Sequence, residues 1–213
     1  MPVTELHCTL LSDGSSDRAL IPILRWLLHC HLPHCAIQLA WADLRQLPRP
    51  PRELHERIAA SVELYPCDLL FVHRDAEGTS FQNRQTEVVC ALGKAGVAPP
   101  GTPVIPVRMM EAWLLLDETA IRKAADNPNG QERLDLPKLG DIETISDPKR
   151  HLHDLVLDAT GLPPQRRKRF SPYGAVHRIA EYVDDFSPLR RLSAFAHLEA
   201  RLIATIREQG WCS

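Results

Sequence analysis

Apolar positions change their period several times along the chain. Residues 3–12 form a short β-like run that stops at Asp13-Gly14. Leu20, Ile23, Leu24, Leu27 and Leu28 then recur at helical spacing, with Ser15, Ser16 and Asp17 as candidate caps. Pro22 removes a backbone donor and predicts a kink in the first turns of that helix. Residues 35–41 read as a second strand, and Pro50-Pro51 opens a helix that turns Leu54, Ile58 and Val62 inward. Cys67-Asp68-Leu69-Leu70-Phe71-Val72 is an apolar run of the kind found in strands covered on both faces. A helix over 80–95 ends at Gly96, and a fourth strand over 103–109 carries Pro103 and Pro106, which place it at an edge or a bulge.

The order β-α-β-α-β-α-β predicts an α/β fold: a parallel sheet with right-handed crossovers, flanked by helices. After Asn127-Pro128-Asn129-Gly130 the pattern holds no further strand. Asp147-Pro148 opens a helix through Leu152, Leu155, Val156 and Ala159 that ends at Gly161. Ser187-Pro188 opens another, with Leu192, Phe195, Leu202, Ile203 and Ile206 inward. The expected organisation is an α/β domain over 1–126 and a helical C-terminal extension over 127–213 that packs on it.

Composition narrows the class. The chain has 213 residues, 44% hydrophobic and 24% charged, which suits a globular protein and excludes a wholly disordered one. The N-terminus has no basic and apolar leader pattern, and the apolar runs are too short to span a bilayer. Six cysteines, at 8, 30, 35, 67, 90 and 212, include no CxxC pair; with no leader they read as reduced thiols of a cytoplasmic protein. The net charge of −2 excludes a generally basic chain, but it is a cancellation. Residues 111–147 hold 4 basic and 9 acidic groups, and residues 149–207 hold 11 basic and 6 acidic.

In an open parallel sheet, chemistry collects at the carboxyl ends of the strands. Asp13 follows the first predicted strand, Asp75 and Glu77 the third, and Glu111 the fourth. Carboxylates converging there suit Mg²⁺ or Mn²⁺, hard cations that take oxygen ligands. The same acids also suit plain capping of the helices that follow. Both readings stand on spacing alone.

Three segments resemble a known family. Leu11-Ser12-Asp13-Gly14-Ser15-Ser16-Asp17 resembles the first Toprim motif, an acid before Gly after the first strand. Asp75-Ala76-Glu77-Gly78 resembles the second, Asp-x-Asp before Gly after the third strand. Pro106 to Leu115 resembles the Glu-Ala-Trp-Leu-Leu signature of a small stand-alone Toprim-like family, domain of unknown function four-two-seven-six. The resemblance covers residues 5–120. It implies a Toprim-like (Rossmann-like) sheet and an Mg²⁺-dependent nuclease cleaving phosphodiester bonds of DNA or RNA, in bacterial defence with an ATPase partner. By that resemblance Asp13, Asp75 and Glu77 would hold the metal, and Glu111 would be a further ligand or a general base. The sequence departs from the family at Asp13, where Glu is usual, and at Glu77, where Asp is usual. Those swaps point to an alternative, a non-catalytic regulatory or interaction subunit on a degenerate Toprim scaffold.

Candidate phosphate contacts are Arg74 and Arg108 beside the acids, and the run Arg166, Arg167, Lys168 and Arg169, aided by Arg178, Arg190 and Arg191. Each arginine also has a structural ion pair as its plainer reading. His29-Cys30-His31-Leu32-Pro33-His34-Cys35 is rich in soft-metal ligand types, yet adjacent ligands converge poorly and no distant pair matches them. Trp26, Trp41 and Trp113 fall within apolar patterns and are assigned to the core. A kinase loop, a P-loop and a nucleophile elbow are excluded, because their partner residues are missing.

Overall fold

Four strands, β1 (Glu5–Leu11), β2 (Ala36–Trp41), β3 (Leu69–His73) and β4 (Gly101–Val104), pair in parallel in the order β2-β1-β3-β4. The structure is a computed structural model that describes residues 3–211; Cys212 lies outside the described residues. All five residues of β3 are buried, as its apolar run predicts for a central strand. No residue of β2 is fully buried, which fits its place at an edge. β4 forms the other edge, where Pro103 is tolerated. It ends five residues before the predicted 109, because Pro106 has no donor and Arg108 turns into the left-handed region at φ 63°.

The crossovers are the helices α1 (Leu20–His31), α2 (Leu54–Leu64) and α3 (Phe81–Ala95). β1 to β2 steps one way across the sheet, and β2 to β3 to β4 steps the other. Right-handed connections must then place α1 on one face and α2 with α3 on the opposite face. The core divides accordingly. Leu6, Cys8, Leu10, Leu69 and Phe71 pack with α1, whereas Leu11, Leu70 and Val72 pack with Ile58 of α2 and Val88 of α3. The period of two along β1 and β3 thus feeds two cores. Pro22 lies within the continuous helix α1. It is the third residue of α1, where its missing donor would be unpaired anyway, and a 3-10 turn over Ser15–Ala19 leads into the helix.

Five further helices follow: α4 (Glu118–Ala124), α5 (Pro148–Ala159), α6 (Pro164–Arg167), α7 (Pro172–Tyr182) and α8 (Ser193–Glu208). α5 has the predicted bounds. The Asp147 side chain accepts the Arg150 N–H at 2.9 Å, Pro148 opens the first turn, and Gly161 leaves the helix end at φ 62°. Ser187-Pro188 opens only a 3-10 turn over Ser187–Arg191. α8 starts later, at Ser193, where the Glu143 carboxylate accepts the N–H groups of Ser193 and Ala194 at 3.1 and 3.0 Å. α7 is a helix the pattern reading passes over.

Of the helices after residue 127, α5, α7 and α8 share one core with α1 and its face of the sheet. Two of those contacts position the site. α5 packs on a buried 3-10 turn over Met110–Leu114, and α7 packs on the turn over Ser15–Ala19. No described helix is long and apolar enough to cross a membrane.

Candidate metal and phosphate site

β1 and β3 are neighbours, yet their outgoing crossovers run in opposite directions. The sheet therefore opens a crevice at their carboxyl ends, the topological switch point. A cleft of about 280 Å³ lies there, lined by Asp13, Gly14, Asp17, His73, Asp75, Glu77, Arg84, Glu111 and Lys149 among others. All four acids predicted from sequence border it, but they differ in what they can do.

His73, the last residue of β3, sits at the centre and is 2% exposed. Its Nδ1 lies 3.0 Å from the Val104 carbonyl, which can only accept, so Nδ1 carries a hydrogen. Nε2 then faces two carboxylates, Asp75 Oδ1 at 3.4 Å and Asp17 Oδ2 at 3.9 Å. Asp75 Oδ1 is buried and has no hydrogen-bond partner. Burial pushes the Asp75 carboxyl up to about 7; His73 opposes this, and Asp17 and Glu111 add to it.

Asp17 belongs to the 3-10 turn after β1. Its Oδ2 accepts the Gly14 N–H at 2.9 Å, and its Oδ1 accepts the Ser16 hydroxyl at 3.2 Å. Glu111 is 3% exposed. Its neighbours in the turn, Met110, Ala112, Trp113 and Leu114, are all buried and fix the backbone around it. Lys149, in the first turn of α5, reaches Glu111 Oε1 at 3.2 Å. Partial burial works against the Lys149 charge, but Glu111, with Asp17 and Asp75 behind it, outweighs that and holds the ammonium above its ordinary range. One helical turn along α5, His153 is pulled down by burial against the opposing influence of Glu111.

The rim is a chain of alternating charges. Asp13, about half exposed, pairs with Arg57 and lies 3.3 Å from Arg74. Arg74 is 3.5 Å from Glu87, which pairs with Arg84, and Arg84 lies 4.0 Å from the exposed Glu77. Glu77 and Arg108 both have left-handed backbones, at φ 51° and 63°, and the Glu77 N–H donates to the Arg108 carbonyl at 2.8 Å. This bond clips the loops after β3 and β4 together.

The structure thus regroups the sequence assignments. The inward acids are Asp17, Asp75 and Glu111, around His73 and Lys149. Asp13 and Glu77, expected as metal ligands with Asp75, belong to the arginine rim. Sequence reasoning treats Asp17 only as a cap and leaves out Lys149. The usable signals were the spacing Asp13-x-x-x-Asp17 and the cap pair Asp147-Pro148 immediately before Lys149.

The arginines expected to meet phosphate also divide. Arg74 faces the cleft, whereas Arg108 lines a separate hollow with Ala76, Phe81 and Glu143. Arg167 is bound to Asp158 and to the Leu162 carbonyl, Arg178 to Asp126, and Arg190 to Glu199. Arg166, Lys168 and Arg169 are exposed, but they follow the far end of α5, roughly 15 Å along the helix from Lys149 at 1.5 Å per residue. In the His/Cys-rich segment, His31 pairs with Glu199 at 2.8 Å and Cys35 is buried.

A divalent cation can be tested against this donor set. Three inward carboxylates and an unpartnered, buried Asp75 oxygen match the hard-oxygen preference of Mg²⁺ and Mn²⁺. Among the described residues no group of three or more His, Cys, Asp or Glu side chains is arranged to hold a metal ion. Mg²⁺ is commonly held by one or two carboxylates, with waters and substrate phosphates completing its shell. The unpartnered Asp75 oxygen suits a hard cation in an open site of that kind, while Asp13 and Glu77 of the expected set line the same cleft and face arginines. Compared with known proteins, the chain matches no family model, no curated protein and no solved structure.

Proposed function

We propose that this protein is a divalent-cation-dependent phosphodiesterase acting on nucleic acid, with its reaction centre at the β1/β3 switch point. One observation carries the reading: Asp17, Asp75 and Glu111 converge with His73 and Lys149 in one cleft, and the inner oxygen of Asp75 has no partner. Asp75 would hold the cation, with Asp17 or Glu111 beside it. A bound Mg²⁺ or Mn²⁺ there would supply charge neutralisation and an activated water.

The remaining chemistry belongs to the chain. His73, anchored on the Val104 carbonyl, directs Nε2 toward Asp75 at 3.4 Å and forms the buried floor beneath it. Lys149 is a mobile-stemmed point charge at the mouth, suited to a phosphate oxygen once it leaves Glu111. Glu111, freed of that partner, is placed to accept a proton from an attacking water. Arg74 and Arg84 face the cleft from the rim, and with a bound cation they would offset the five acids that line it.

The free thiols Cys8, Cys30, Cys35, Cys67 and Cys90 support a place in the reducing cytoplasm. A specific observation favours the second reading, a non-catalytic interaction subunit: Asp13 and Glu77 are engaged by arginines, not by the inner cluster. Cleavage assays separate the two. Labelled DNA and RNA are incubated with Mg²⁺ or Mn²⁺ and the wild type, Asp75→Asn or Glu111→Gln. The catalytic reading predicts metal-dependent cleavage that falls at least a hundredfold in both variants. Equal activity in all three, or none with either cation, overturns it.

A further inference from the structure

Trp41 packs against the core as its sequence pattern suggests, but it is not enclosed by it. It ends the edge strand β2 and remains partly exposed, with its indole N–H donating to Ser12 Oγ at 2.9 Å. The Arg45 guanidinium lies 5.0 Å from the ring centroid and that of Arg18 lies 5.6 Å from it. The ring borders a second cleft of about 300 Å³, whose other walls include Pro50, Pro51, Arg52 and Arg57.

This cleft adjoins the acidic one. Asp13 lines both. The loop Ser12-Asp13-Gly14 is the wall between them and is fastened from each side. Trp41 and Arg57 hold it on the near side, through Ser12 Oγ and the Ser12 carbonyl. Asp17 holds it on the far side, through the Gly14 N–H. Arg57 also pairs with Asp13, and Arg45 with Asp43, so those two guanidinium groups are already balanced. Arg18 and Arg52 are exposed, and they leave the neighbourhood of the indole net positive.

We propose that the Trp41 cleft is a subsite for one unpaired nucleotide flanking the phosphate that occupies the acidic cleft. The Arg45 guanidinium, which lies over the indole and borders the cleft, and the flat proline walls take a base by stacking, which needs a base already out of a duplex. The surrounding guanidinium groups take the backbone phosphate. The substrate class is therefore single-stranded nucleic acid. The subsite rests on the proposed nucleic-acid function, but its test does not depend on cleavage.

The probe is a short fluorescein-labelled single-stranded DNA or RNA oligonucleotide, with the matching duplex beside it. Anisotropy is measured in EDTA, so that nothing is cut. The proteins are the wild type, Trp41→Ala, Arg52→Glu and, as a control on the distant basic run, Arg169→Glu; the last two change exposed side chains and spare the fold. The subsite predicts that each variant binds single strands at least about tenfold more weakly, while the duplex changes much less. Unchanged single-strand binding in Arg52→Glu, no binding by the wild type, or loss confined to an Arg169→Glu variant would overturn it. Binding that shows this pattern in a protein that never cleaves would instead sink the catalytic reading and leave the subsite standing.

Discussion

Asp75 is kept in a place that an acid does not favour. Its carboxyl is pushed up to about 7, first by burial and then by Asp17 and Glu111, against the pull of His73. The folded state therefore holds a proton that the unfolded state releases once the pH passes the ordinary aspartate range. Stability falls as pH rises from about 4 to about 7, and the full penalty is present above that. Asp75→Asn removes the charge. We expect it to raise the unfolding temperature at pH 8, by a gain on the order of 2 kcal/mol, and to give little or no gain at pH 4. Thermal unfolding at the two pH values checks this; an equal or larger gain at pH 4 contradicts it. Such a residue is hard to read from sequence. The Asp-x-Glu-Gly pattern marks the position, but which acid turns inward depends on the left-handed turn at Glu77 and on two arginines more than twenty residues from Asp13 in sequence.

Elements whose signals are local were legible, and elements set by distant groups were not. α5 carries its own N-cap, proline and terminal glycine, and its bounds follow from them. β3 carries an apolar run and lies buried at the centre of the sheet. The start of α8 instead depends on Glu143, fifty residues earlier in the chain. α7 was missed for another reason: its buried stripe is built on the small residues Ala175 and Ala180 with Val176 and Ile179, a weak pattern, although Ser171-Pro172 repeats the opening signal of α5. The local cap of α5 also serves the site, because it fixes the turn that carries Lys149. Asp147→Ala should cost about 1 kcal/mol in chemical denaturation. In the cleavage assay it should weaken substrate saturation more than it slows turnover, if Lys149 makes the proposed phosphate contact.

On the scale of the whole molecule, the C-terminal helices are part of the framework of the site. α5 braces the turn that holds Glu111, and α7 braces the turn that holds Asp17. Leu20, Ile23, Leu24, Leu27 and Leu28 share one core with Leu152, Ile179, Phe195 and Leu202. A chain ending at residue 126 would expose that face of α1. We expect it to lack a cooperative thermal transition by circular dichroism, whereas a sharp melt would show that the α/β half stands alone. The charge asymmetry of the sequence also takes on a different meaning. Much of the basic segment serves inside the molecule: Arg178 ties α7 to Asp126, Arg190 ties to Glu199, and Arg167 closes the end of α5 on Asp158. The groups left facing the cleft, Arg74, Arg84 and Lys149, are scattered along the sequence, and only the fold collects them.

The central claim is that Asp75 anchors a divalent-cation site at the switch point. Titrating Mn²⁺ into the protein, with free Mn²⁺ followed by its electron paramagnetic resonance signal, tests it most directly. The account predicts saturable uptake by the wild type, abolished or weakened at least tenfold in Asp75→Asn and little changed in Asp13→Asn. Equal uptake by the wild type and Asp75→Asn, no uptake by the wild type, or a loss confined to Asp13→Asn would contradict it.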